Sequence, residues 1–202
     1  MPHHAPCRRR QVPSVLPAMR RLLPLLALLF AAALGVLALT PARAAELRFP
    51  KTGAKAFHID LPDNWRTRTD AHGGLLLIPP AGEQHGLLYL ALIADDAVRA
   101  EAGIAGAARI AQAAAKPVGI VLDGSEAPAR VTDPQERTVF HGMAFTGTMP
   151  AKRGYARAVR MVIIRVTPDT WAQVMTVKQP GMNAAETAAL DRVLNDITLT
   201  AQ

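Results

Sequence analysis

Cysteine is nearly missing from this chain: the only one among 202 residues is Cys7, upstream of an apolar block that reads as an export leader. Once that leader is removed no thiol is left, which excludes disulfides, thiolate metal sites and cysteine nucleophiles. A lipoprotein, which needs a cysteine directly after its leader, is excluded by the same count. Nor is there a surplus of charge beyond the leader. The whole chain carries +7, but Arg8, Arg9, Arg10, Arg20, Arg21 and Arg43 precede Ala45 while no acidic residue does. Of 23 basic residues 17 therefore remain against 16 acidic ones, a net of +1. The argument from overall basicity to a nucleic-acid partner falls away. Within residues 45–202 internal repeats and long linkers are lacking as well, and the nearest two histidines, His72 and His85, stand 13 positions apart.

What is present begins with an address. Met19-Arg20-Arg21 leads into the apolar block Leu22 to Leu39, which ends at Ala42-Arg43-Ala44. A basic start, an apolar middle and a small-residue A-x-A end make up a secretory signal peptide. The 18 apolar-block residues lie near the lower limit for a spanning helix, so a retained anchor is the competing reading. Pro24 and Gly35 interrupt that block, and Pro41 follows it with no basic stop-transfer run. We expect residues 1–44 to be a signal peptide cut after Ala44, with a periplasmic or secreted product and no stable membrane span after cleavage. Arg20-Arg21 lacks the flanks of a twin-arginine signal, which favours general secretion. Residues 1–18, rich in Pro and Arg, suit neither a helix nor a leader and leave Met19 as an alternative translation start. The remaining 158 residues, 45–202, suffice for a single α+β domain that buries about 70% of its unfolded surface.

Within that domain, Phe57, Ile59 and Leu61 alternate with polar neighbours as on a half-buried strand, and Pro62-Asp63-Asn64 turns the chain so that Trp65 folds back on them. Ala71-His72-Gly73-Gly74 predicts a hairpin between Trp65–Thr69 and Leu75–Ile78, because paired glycines tolerate positive φ. Leu87 to Ala94 is apolar enough for a central strand buried on both faces. The alanine-rich stretch Asp96 to Lys116 predicts a helix capped by Asp95 or Asp96 and ended by Pro117. Thr138–Thr148, Tyr155–Thr167 and Thr170–Lys178 predict an antiparallel meander, the long middle strand near the sheet centre. Asn183 and Glu186 have capping-box spacing. Leu190, Val193, Leu194 and Ile197 then mark the apolar stripe of a closing helix.

Phe57-His58-Ile59-Asp60-Leu61-Pro62-Asp63-Asn64-Trp65 resembles the opening F-x-I-x-L-P-x-x-W of the PsbP-like fold, and the order of elements over most of Ala45 to Gln202 follows it. The resemblance implies an α-β-α sandwich, an antiparallel sheet flanked by helices, used as a docking or accessory module. The motif itself is packing, without chemistry, and fold alone does not fix function.

Candidate chemistry is sparse. His58, His72, His85 and His141 show no metal-ligand spacing, and neither a metal nor another cofactor is expected. His58 is placed on the solvent side of its strand; His141 stands among small and apolar residues. Gly124-Ser125-Glu126 lacks the second glycine of a nucleophile elbow, and Asp95-Asp96 suits a helix start better than an acid–base pair. The cations Lys152, Arg153, Arg157, Arg160 and Arg165 run without an intervening acid. Strand parity puts Arg157 and Arg165 on one face and Arg160 on the other. Since an arginine fork holds carboxylate or phosphate in bidentate fashion, Lys152, Arg153, Arg157 and Arg165 form the candidate anion- or partner-binding set, with a solvated edge as its structural counterpart. The expected function is that of a non-enzymatic accessory or binding protein of the bacterial envelope, docking another protein or a small anionic ligand. A hydrolase with a site assembled from distant residues is the alternative, and dimerisation through an open sheet edge is a third possibility.

Overall fold

Two interleaved sets of apolar side chains along one strand determine the layering. The computed structural model describes residues 45–94, 104–150 and 154–201. In β8 (Arg157–Thr167), Val159, Met161 and Ile163 face one hydrophobic cluster while Val162, Ile164 and Val166 face a second. Successive side chains of a strand point to opposite faces, so β8 is buried on both sides and a layer must cover each.

β8 belongs to a seven-stranded antiparallel sheet. It contains β3 (Arg66–Thr69), β4 (Leu75–Ile78), β5 (Gly86–Ala94), β6 (Val121–Thr132), β7 (Val139–Met149) and β9 (Thr170–Lys178), in the order β3-β4-β5-β9-β8-β7-β6. One face packs on α1 (Ile104–Ala115), whose Ala107, Ile110 and Ala111 sit against Phe145, Met161 and Trp171. Pro117 ends α1 in a short 3-10 turn, Lys116–Val118, closed by Gly119 at φ 71°. The expected start of this helix at Asp95 or Asp96 lies outside the described residues. The other face is covered by α2 (Ala184–Asn195) and by a second sheet of β1 (Ala45–Phe49), β2 (Lys55–Leu61) and β10 (Thr198–Ala201), in the order β1-β2-β10.

The α+β class and the antiparallel sheet between helices are as expected from the sequence, with one outer layer built differently: a small sheet lies in it together with α2. Phe57, Ile59, Leu61 and Trp65 are buried together there with Leu190, Val193 and Ile197. The capping box is complete, Glu186 N–H donating to Asn183 Oδ1 at 2.9 Å and Asn183 N–H to Glu186 Oε2 at 3.1 Å. The closing helix stops at Asn195, and Thr198–Ala201 become β10, which pairs with β2. β9 holds the centre of the large sheet, with β8 beside it. β5 lies third from its edge: Leu88 and Leu90 are fully buried, whereas Leu87, Tyr89 and Ile93 on the α1 side are only partly so. On the other side Leu92 too is only partly buried, so the burial on both faces expected from the apolar run is incomplete.

β6 is a long edge strand that the sequence reading lacked, because its polar and small residues carry little alternation. It bulges between Leu122 and Glu126, where Gly124 takes φ 81°. This bulge and Pro128, which has no N–H to offer, blunt the edge against pairing with another strand.

Candidate binding groove

The corner where β6 and β7 meet the α2 layer is poor in side-chain volume. Ala127 pairs with Ala144, and Ala129 with Gly142, so on β6 and β7 two neighbouring rows of this face carry nothing longer than a methyl group. Gly142 cannot be enlarged, since a Cβ there would overlap the Ile163 backbone. One row further along, Thr146, Arg160 and Thr176 follow each other across β7, β8 and β9. The end of α2, with Leu194 and Asn195, overhangs these rows and leaves two adjoining hollows that share Arg160, Leu194 and Asn195.

The first hollow, about 340 Å³, has Val162, Val174, Leu194 and Ile197 among its apolar walls, Arg130 and Arg160 as its charged residues, and no carboxylate. The second, about 630 Å³, adds Lys178, whose Nζ lies 2.7 Å from Asp191 Oδ1, and Asp123, whose carboxylate oxygens accept from Thr146 Oγ1 at 2.9 and 2.8 Å. Arg160 is exposed and has no side-chain hydrogen bond or ion pair among the described residues, although acids stand within the same groove. Arg130 pairs in register with His141, and both are exposed. The α2 C-terminus contributes about half a negative charge, against the full positive charge of Arg160; Arg130 alternates with Ala129 and Val131 and so projects from the opposite face of β6. The balance there favours an anion.

The sequence-predicted set is not gathered at one place. Lys152 and Arg153 lie outside the described residues. Arg157 and Arg165 share the α1-side face as parity requires, but they are eight residues apart on one strand, about 26 Å at 3.3 Å per residue. Arg165 donates to the Pro168 carbonyl at 3.2 Å and lies 5.9 Å from the centre of the Trp171 ring. Arg160, which sequence reasoning set aside because it points the other way, is the residue of that run that enters the groove. Its parity was legible; the wall opposite it, β6, was not.

The histidines are scattered. His85 Nδ1 lies 3.6 Å from Glu186, while His72 and His141 are exposed. His58 is not solvent-facing as expected: β1 and β10 flank β2, and its side chain is only 19% exposed. It stands between Thr200 Oγ1, 3.2 Å from Nε2, and Glu46, 3.6 Å from Nδ1. This outlines a nucleophile–base–acid chain without completing one. The His–Glu distance is too long for a hydrogen bond, and Thr200 donates its proton to the Ala56 carbonyl at 3.3 Å. With that assignment His58 Nε2 is the donor toward Thr200, the reverse of what a general base must be. Among the described residues no group of three or more His, Asp or Glu is placed to hold a metal ion, and no helix is long and apolar enough to cross a membrane.

The chain is similar to a cyanobacterial PsbP. The likeness to the solution structure of PsbP from Synechocystis sp. PCC 6803 spans 80% of this chain and 95% of that one, at 7% identity and a TM-score of 0.48. No family model matches the chain, and no curated protein matches it significantly. At this identity and TM-score the likeness to PsbP carries no argument about this chain, and the groove's residues are argued from their own geometry.

Proposed function

We propose that the protein is an exported, non-enzymatic accessory or binding module of the bacterial envelope that docks a protein or a small anionic partner in the groove beside α2. The observation that carries this reading is Arg160, an exposed cation with no side-chain ion pair among the described residues, at the edge of a hollow that no carboxylate lines. An arginine in such a place has a preorganised fork of donors and no internal acceptor. The leader supplies the compartment: cleavage after Ala44 would release the domain beyond the cytoplasmic membrane.

Capture from envelope extract tests the docking reading. A partner retained by the native protein and lost with Arg160→Glu supports it, whereas identical capture by both would refute the groove as the docking face. Intact mass of the native protein tests the address. A chain beginning at Ala45 agrees with it, and a retained leader turns the protein into an anchored one.

A further inference from the structure

We infer that the α1-side face of the large sheet carries a second site, for a phosphoryl group, on Arg165, His141 and Arg130. It is independent of the groove, which opens on the opposite face. The register aligns the three residues. Arg130 pairs with His141. One step beyond the last pair of β7 and β8, Gly142 with Ile164, His141 stands beside Arg165, and Arg165 pairs with Trp171 on β9. Parity turns all three to the face on which Met143, Phe145 and Ile163 also lie. Neighbouring strands are about 4.8 Å apart, so three basic side chains start from a line only about 10 Å long. The rows on either side of it offer no acid: Pro128, Met143 and Ile163 stand in one, Thr132 and Val139 in the other. Arg130 and His141 are exposed and make no side-chain hydrogen bond or ion pair among the described residues.

Arg165 is already fixed in place. Its Nη2 donates to the Pro168 carbonyl and its guanidinium lies over the Trp171 ring, which leaves Nη1 without an acceptor. Two buried donors at this end of the sheet are also unsatisfied: Arg165 Nε, and the indole Nε1 of Trp171, a residue only 1% exposed. Buried N–H groups without a partner are few in folded proteins and call for an explanation. No protein oxygen answers their positive ends, so they add to the potential of the three bases, and an anion seated on those bases compensates them without touching them. A carboxylate is saturated by a single arginine fork. A phosphoryl group carries up to two charges and three terminal oxygens. It can therefore take donors from both arginines and from the imidazole, which donates from a ring nitrogen in either charge state.

The test is a titration of the isotopically labelled protein with diphosphate, phosphate and acetate at constant ionic strength, read at the Trp171 indole N–H and the amides of Arg130, His141 and Arg165. Diphosphate should move these signals, and acetate should bind at least about tenfold more weakly. Arg130→Gln and Arg165→Gln should each weaken diphosphate at least about tenfold, the loss of one charge-assisted pair. Arg165→Lys keeps the charge and the stem without the fork and should fall between the native protein and Arg165→Gln; unchanged circular dichroism would show that the variants fold. Vesicles of phosphatidylcholine with and without phosphatidate separate a lipid headgroup from a soluble phosphate. Binding of either source through Arg130 and Arg165 supports the site, and binding of neither overturns it. Equal affinity for acetate overturns the phosphoryl class. An equal loss with Arg157→Gln, on the same face near the other end of β8, would reduce the binding to general positive charge and overturn the site. Arg160→Gln should leave diphosphate binding unchanged, so this site and the groove can fail separately.

Discussion

Alanine at position 74 should detach Tyr89 from Asp70, and the loss can be read optically. A Cβ on Gly74 would overlap the Tyr89 hydroxyl and the adjoining ring carbons. The ring end is the movable party, so it must swing away. In the native protein burial, then the hydrogen bond to Asp70 and its charge, push the Tyr89 hydroxyl from 10.0 up to about 12. On the other side of the bond, burial works against the Asp70 carboxylate. The N–H groups of Gly74 and His72, the Tyr89 hydroxyl and the charge of His72 outweigh it and hold that carboxyl below its usual range. Because the folded state raises the tyrosine pKa, its contribution to stability is complete below pH 10 and is lost as pH rises through about 12. A rise from 10.0 to about 12 on a sequestered group would correspond to about 2.7 kcal/mol. Tyr89 is only partly buried, and solvent screening reduces this to about 1 kcal/mol. The chain has two tyrosines, Tyr89 and Tyr155, so Tyr155→Phe leaves one chromophore to follow by tyrosinate absorbance. Its midpoint should lie at about 12 and fall toward the ordinary value when Gly74→Ala is added. Urea unfolding near neutral pH should show Gly74→Ala less stable by about 1 kcal/mol, the worth of one partly exposed hydrogen bond. An ordinary midpoint in the single variant, or an elevated one that survives Gly74→Ala, would refute the coupling.

Three further outcomes follow from the packing. Hydroxyl bonds from Thr167, then the Lys55 ammonium and Thr170, hold the Asp169 carboxyl far below its usual range, and Lys55 Nζ at 3.2 Å links β2 to the β8–β9 hairpin. That contribution is present above the ordinary carboxylate pKa of 3.8 and fades as pH falls below it, so Asp169→Asn should flatten the acid side of a urea-midpoint profile. Asn183→Ala removes the side-chain half of the capping box and should cost about 1 kcal/mol, with faster hydrogen exchange at the Glu186 amide. Leu190 is fully buried in the core beneath α2, and Leu190→Ala should cost about 3 kcal/mol in chemical denaturation; a loss under 1 kcal/mol would mean that the helix is not packed as described.

The local elements were legible because their signals are local. The alternation of Phe57, Ile59 and Leu61, the paired glycines before Leu75, the meander from Thr138 to Lys178 and the Asn183–Glu186 cap each follow from neighbours a few residues apart. So did the opposite facing of Arg160 and Arg165, since parity along a strand is a property of the backbone. The α+β class follows from those elements together. Three strands stayed hidden. Ala45–Phe49 and Thr198–Ala201 are short and exist as strands because β2 lies between them, and Val121–Thr132, with Gly124 and Pro128, has too little alternation to declare itself. Each is held by ladder partners distant in sequence, and a hydrogen bond across that distance leaves no periodicity in either partner. The burial of His58 depended on those hidden strands. The groove did as well: Ala129, Gly142, Arg160 and Leu194 come from four elements, and only the register of β6, β7 and β8 under the end of α2 puts the Arg160 guanidinium beside a hollow that small side chains leave open.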